Sequence, residues 1–120
     1  MTTILIVDDS PTEANVVKSM LVEAGYEVLW AEAADKGIAV AMNRHPDLIL
    51  MDVVMPGMSG FQATRKLSRT PETKDIPILM LTTKDQDSDR VWGMRNGAKK
   101  YMVKPPEKEA LLREIRELLA

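Results

Sequence analysis

The chain has 120 residues, 45% of them hydrophobic, and 16 basic side chains against 18 acidic ones leave a net charge of −2. This is the size and composition of one ordinary globular domain, and with only 4% aromatic residues it offers neither the basic footprint nor the stacking surface expected of a nucleic-acid binder. The absence of cysteine and the presence of one histidine, His45, exclude disulfides and Cys/His zinc sites, so any metal has to be held by oxygen.

Taken in order, the chain alternates short apolar runs with amphipathic stretches, the pattern of an α/β domain with a parallel sheet. The first run, ILIV at residues 4–7, leads into Asp8, Asp9 and Ser10. Ser10, Pro11 and Glu13 read as a capping box with proline at the first helical position, and Gly25 closes that helix. A second strand is expected at about Glu27 to Ala31, and a second helix from about Ala33 to Asn43, broken by His45 and Pro46. The third strand, LILM at residues 48–51, ends in Asp52 and a VVMPGMSG loop. A third helix from Phe61 to Ser68 presents Phe61, Thr64 and Leu67 at spacings of three, and a polar loop leads to the fourth strand, ILML at residues 78–81, which ends in Thr82 and Thr83. A fourth helix from Gln86 to Arg95 stops at Gly97, a fifth strand runs from Tyr101 to Val103, and a last helix begins near Glu107 with Leu111, Leu112, Ile115, Leu118 and Leu119 on one face. The reading is one domain over residues 1–120 with no output domain. No apolar run approaches the roughly eighteen residues of a spanning helix and no signal-peptide pattern opens the chain, so a cytoplasmic protein without membrane insertion is expected.

Right-handed crossovers bring the carboxyl ends of parallel strands to one edge, where ligands of open α/β sheets bind. Asp8, Asp9, Asp52, Thr82 and Lys104 can all arrive there. Carboxylates gathered at one edge repel unless they are protonated or share a hard cation, and oxygen ligands suit Mg²⁺. Asp9 and Asp52 are the expected direct ligands, with Asp8 holding a metal-bound water and the Val54 carbonyl offering one further oxygen. A carboxylate beside such an ion can attack phosphorus to form an acyl phosphate, and Asp52, alone on its strand, is the candidate nucleophile. Lys104 and Thr82 supply the cation and hydroxyl that phosphoryl oxygens require. Lys104 precedes Pro105, a candidate cis peptide bond that would aim the lysine. Taken singly, each residue has a plainer role: the acidic triplet as a helix cap, Asp52 as a turn aspartate, Thr82 and Lys104 as structural residues. Their conjunction at successive strand ends carries the chemical reading. Met55 and Met58 are expected in the loop over the site, and the other methionines as core filler.

These same motifs, ILIVDDS, LILMDVVMPGMSG, LMLTT and GAKKYMVKPP, resemble over the whole chain the receiver domain of two-component response regulators of the single-domain CheY type. The resemblance implies a flavodoxin-like (βα)5 fold with sheet order 2-1-3-4-5. It implies that Asp52 accepts a phosphoryl group from a phosphohistidine on a sensor histidine kinase or phosphotransfer domain, with Mg²⁺ held by Asp9, Asp52 and the Val54 carbonyl. It further implies that Thr82 bonds the phosphoryl group after a small loop movement, that Lys104 pairs with it, and that Tyr101 turns inward. Helix four, strand five and helix five would then form the output face for a downstream protein, with Trp92 on or near it, in a monomer or weak dimer. Such a protein is a phospho-accepting signalling protein that assists its own phosphorylation and dephosphorylation rather than an enzyme. The stretches GFQATRKL and TTKDQDSDRVWGMRNGA are similar, more narrowly, to twitching-motility receivers of the PilH kind. In the family, the side chains two past Asp52 and two past Thr82, here Val54 and Lys84, gate the attacking water, and an apolar Val54 implies slow self-dephosphorylation.

Three other functions share parts of this pattern. A haloacid-dehalogenase-type phosphatase needs DxD after its first strand, where this chain reads DDS. A flavodoxin-like cofactor module uses a Ser/Thr/Gly-rich phosphate loop, whereas Asp8 and Asp9 repel phosphate. A chemotaxis receiver of another pathway, a phosphate sink or a phosphorylation-independent interaction module would keep the whole motif.

Overall fold

In the computed structural model, which describes residues 1–120, five strands alternate with five helices. The strands are β1 (Thr3–Val7), β2 (Glu27–Ala31), β3 (Leu48–Met51), β4 (Ile78–Thr82) and β5 (Lys100–Val103). The helices are α1 (Pro11–Glu23), α2 (Ala34–Arg44), α3 (Gly60–Arg69), α4 (Asp87–Arg95) and α5 (Lys108–Leu119). All strand pairings are parallel, in the order β2-β1-β3-β4-β5. The expected boundaries hold to within one or two residues.

The central strands are apolar at successive positions because both faces of the sheet are covered. Alternation along each strand then sorts them. Ile4, Ile6, Leu48, Leu50, Leu79 and Leu81 pack with Ala14, Val17 and Leu21 of α1 and with Leu111, Leu112 and Ile115 of α5. Leu5, Val7, Ile49, Met51, Ile78 and Met80 face the other way, against Ala34 and Ala41 of α2 and Ala63 and Leu67 of α3. On this second side α4 lies close enough that a Cβ on Gly93 would meet Met80 and Tyr101.

Local chemistry ends the helices where expected. Gly25 and Gly97 adopt φ of 95° and 114°, and exposed His45 closes α2 at φ 46°. At the start of α3, Ser59 and Gln62 satisfy each other's backbone amides reciprocally. The capping box expected at α1 is only half made. Ser10 Oγ accepts from the Glu13 amide at 3.2 Å, but the Ser10 amide donates to Asp8 Oδ1 at 2.9 Å, so the Glu13 carboxylate is turned elsewhere. Met55 and Met58 lie in the loop after β3, as expected, and Met55 is buried in the core on the α2 and α3 side with Met58 packed against that core, so both anchor the loop from beneath.

Gly60 positions that loop by its lack of a side chain. Its amide donates to Val53 O at 2.9 Å, and an added Cβ would sit 1.9 Å from the Asp52 carbonyl oxygen and 2.8 Å from Val53 Cα. Both obstacles are backbone, so relief requires moving either α3 or the segment that carries Asp52. Gly60→Ala is expected to lower unfolding stability by about 1–3 kcal/mol, read as a reduced urea midpoint, with the Asp52 loop shifted in the amide spectrum.

Candidate functional site

The sheet ladder runs one residue beyond its strands and fixes three backbones at its carboxyl edge. The Asp8 amide donates to Ala31 O at 3.1 Å, the Asp52 amide to Val7 O at 2.9 Å, and the Lys104 amide to Thr82 O at 2.8 Å. Strand alternation continues past those ends: Asp8 follows Ile4 and Ile6, and Asp52 follows Leu48 and Leu50, so both side chains start on the α1 and α5 side.

There the Lys104 ammonium, on a side chain only 7% exposed, meets three carboxylates. It donates to Asp8 Oδ2 and Glu13 Oε1 at 2.6 Å each and to Asp52 Oδ2 at 3.3 Å. Asp8 is further held through Oδ1, and its carbonyl accepts from Trp30 Nε1 at 2.8 Å. Asp52 Oδ1 accepts from the Val53 amide at 2.7 Å. Asp9 is exposed, and an oxygen from each of Asp8, Asp9 and Asp52 lies within 4.8 Å of the others. Burial of two of these carboxylates, exposure of the third and the purely oxygen donor set suit a hard divalent cation approached from solvent. His45 lies at the other end of the sheet, on the turn whose next residue but one, Asp47, donates its amide to Thr3 O.

Burial pushes the Asp52 carboxyl above the ordinary aspartate range, with the Lys104 charge opposing and Asp8 adding to the rise. Burial alone would disfavour the Lys104 ammonium, yet its bonds to Asp8 and Glu13 and the charge of Asp52 hold it above the usual lysine range.

Tyr101 belongs to the core on the other side of the sheet, whereas the Thr82 hydroxyl, at the end of β4, lies near enough to Asp52 to favour its charged form. Thr82 is fully buried and its hydroxyl accepts from the Lys84 amide at 3.3 Å. Tyr101 is already turned in, 6% exposed, and its hydroxyl donates to Lys84 O at 2.9 Å. Burial, with the Asp89 charge adding, pushes that hydroxyl up to about 12. Arg90 lies 5.3 Å from the centre of the Tyr101 ring and donates to the Tyr101 carbonyl. Trp92 is half exposed on α4, Val54 is exposed beyond Asp52, and the Lys104–Pro105 bond is cis.

Sequence reasoning missed two contributors. The spacing of Glu13 points only to helix capping, and nothing in the sequence links Trp30 to Asp8, because contacts across 91 and 22 residues leave no periodic signal.

Residues 4–116 match the response regulator receiver domain. The chain is 52% identical to the protein PilH of Pseudomonas aeruginosa over all of this chain and 99% of that one. It is 41% identical over 99% of its length to the DNA-binding dual master transcriptional regulator RpaA of Synechocystis, but spans only 49% of that protein. Among solved structures, the chemotaxis protein CheY4 of Vibrio cholerae superposes with a TM-score of 0.93 at 36% identity, each chain 99% covered. No helix is long and apolar enough to cross a membrane.

The raised Asp52 value has a consequence for the metal-free protein. An acid whose folded value lies above its unfolded one, here 3.8, favours folding at low pH, and that contribution is lost as pH rises through the folded value. Asp52→Asn removes this loss. Metal-free Asp52→Asn is therefore expected to unfold at a higher urea concentration than wild type at neutral pH, with the gap narrowing as pH falls through the carboxylate range.

Proposed function

The chain belongs to the response regulator receiver family, and from that membership we propose that it takes a phosphoryl group onto Asp52 from a phosphohistidine on a sensor kinase or phosphotransfer domain. The observation that carries this reading is the convergence of Lys104 on Asp52 and Asp8 beside exposed Asp9. The family is one of signalling proteins rather than classical enzymes. The similarity to PilH supports a role in chemosensory control of type IV pilus twitching motility, in the cytoplasm.

In the proposed transfer an Asp52 carboxylate oxygen forms a bond to phosphorus while the bond from phosphorus to the donor histidine nitrogen breaks, and the nitrogen keeps the electron pair. Asp52 is held for this by the Val53 amide, and its elevated charge cost is offset by Lys104. Asp9 and Asp52 are the proposed direct ligands of Mg²⁺, with the Val54 carbonyl, while Asp8 holds a bound water. When present, the ion supplies positive charge for the phosphoryl oxygens, as expected of transfers dominated by positioning and electrostatics. Lys104 then pairs with one phosphoryl oxygen and the Thr82 hydroxyl with another.

The Thr82 step gives the output. Its hydroxyl holds the Lys84 amide, and Lys84 O in turn accepts from Tyr101, so drawing Thr82 towards a phosphoryl group loosens one end of a short chain of bonds. This would shift the face made by α4, β5 and α5, where Trp92, Val91 and Val103 are exposed, towards binding a downstream protein. A swing of the active arrangement from 1:99 to 99:1 requires about 5.5 kcal/mol of preferential stabilisation by the phosphate.

Incubation with Mg²⁺ and acetyl phosphate is expected to add the mass of one phosphoryl group, and Asp52→Asn or metal chelation to abolish the gain. An unchanged mass in folded wild-type protein would refute the assignment of Asp52. Val54, exposed and apolar, cannot orient an attacking water by hydrogen bonding, so the acyl phosphate is expected to be long-lived and Val54→Asn to shorten its half-life several-fold by phosphate-release assay.

A further inference from the structure

An ammonium has three protons to donate, and all three on Lys104 are directed at carboxylates: Asp8, Glu13 and Asp52. Phosphorylation of Asp52 removes its charge and frees only the 3.3 Å contact, so for Lys104 to move fully onto the phosphoryl oxygens it must also leave one of its 2.6 Å partners, Asp8 or Glu13. Asp8 and Asp52 side chains are 4% and 10% exposed, whereas that of Glu13 is 48% exposed. Water can replace the lysine most cheaply at Glu13, which makes it the partner that gives way. Glu13 reaches the lysine because its other role is already filled: Asp8 takes the Ser10 amide that a complete capping box would have left to Glu13.

We propose that Glu13 is a positioning residue that competes with the incoming phosphoryl group on Asp52 for Lys104, so that the rate of acyl phosphate formation depends on release of the Glu13–Lys104 pair. The inference rests on the reading of Asp52 as phosphoryl acceptor. In the test reaction with acetyl phosphate, an Asp52 oxygen bonds to phosphorus, the bond from phosphorus to the acetate oxygen breaks, and acetate leaves with the electron pair. Developing charge on the phosphoryl oxygens attracts Lys104 in this step, and Glu13 opposes the movement. Glu13→Gln keeps the shape and removes the competing charge.

The experiment is a double-mutant cycle on the full chain, with Mg²⁺ and acetyl phosphate, following phosphorylated mass against time. Glu13→Gln is expected to speed phosphorylation about fivefold in the wild-type background, the scale of one partly exposed ion pair. In a Lys104→Met background, the same substitution is expected to change the slower rate by less than about twofold, since its lever is gone. Glu23→Gln, which removes the same charge from the far end of α1 where Glu23 pairs with Lys108, controls for simple attraction of the anionic donor and is expected to leave the rate unchanged. An equal acceleration by Glu13→Gln in both backgrounds would mean that only its field matters and would overturn the proposal. So would an unchanged or slower rate in protein that still gains its phosphoryl group at Asp52. Failure of wild type to gain any phosphoryl group would instead sink the acceptor reading, and this inference with it.

Discussion

One ammonium keeps the carboxyl edge of the sheet together. Asp8, Asp52 and Glu13 all touch Lys104, and Asp9 stands beside them, so four carboxylates share the neighbourhood of a single resident cation. Burial of Asp8 and Asp52 raises the cost of each uncompensated charge, and backbone ladders that run past the strand ends prevent either residue from moving off to lower it. The site is thus held short of positive charge by the stability of the rest of the sheet. The large apolar strands on both faces supply that stability, and the carboxylates sit at the one edge where solvent and a cation can reach them.

The alternation of the strands also separates two groups of side chains. Asp8, Asp52 and Lys104 gather towards α1 and α5, whereas Tyr101 belongs with the side covered by α2, α3 and α4. Thr82, at the end of β4, lies between them: its hydroxyl is near Asp52 and accepts from the Lys84 amide, and Lys84 O accepts from the Tyr101 hydroxyl. Arg90 stacks over the same tyrosine and bonds its carbonyl, so the loop before α4, the helix itself and β5 are tied at one point. Further along, Lys100 of β5 pairs with Glu114 and Glu117 of α5, extending the connection to the last helix.

Glycine and methionine show how backbone packing supports this chemistry. Gly60 lets α3 approach the Asp52 carbonyl more closely than any side chain permits, and Met55 fastens the intervening loop to the core. Both sit in the sequence that follows Asp52. Proximity in sequence suggested methionines covering the site, but a loop that leaves a buried strand has core within reach on its inner side, and apolar side chains go there.

Much of the architecture was legible because it rests on local rules. Short apolar runs located the strands, serine and proline marked the start of α1 and glycine the ends of α1 and α4, and parallel topology then required Asp8, Asp52, Thr82 and Lys104 to share an edge. What the sequence by itself determined was therefore which residues could meet, since strand ends and their side-chain parity follow from the chain's own periodicity. Only the tertiary structure decided how the charges are divided among them. Glu13 abandons the capping role its spacing suggests because Asp8 already satisfies the Ser10 amide and Lys104 lies within reach, and Trp30 braces the Asp8 carbonyl from a neighbouring strand. Those choices are settled by competition among partners distant in sequence, and the outcome depends on distances that exist only once the sheet has closed.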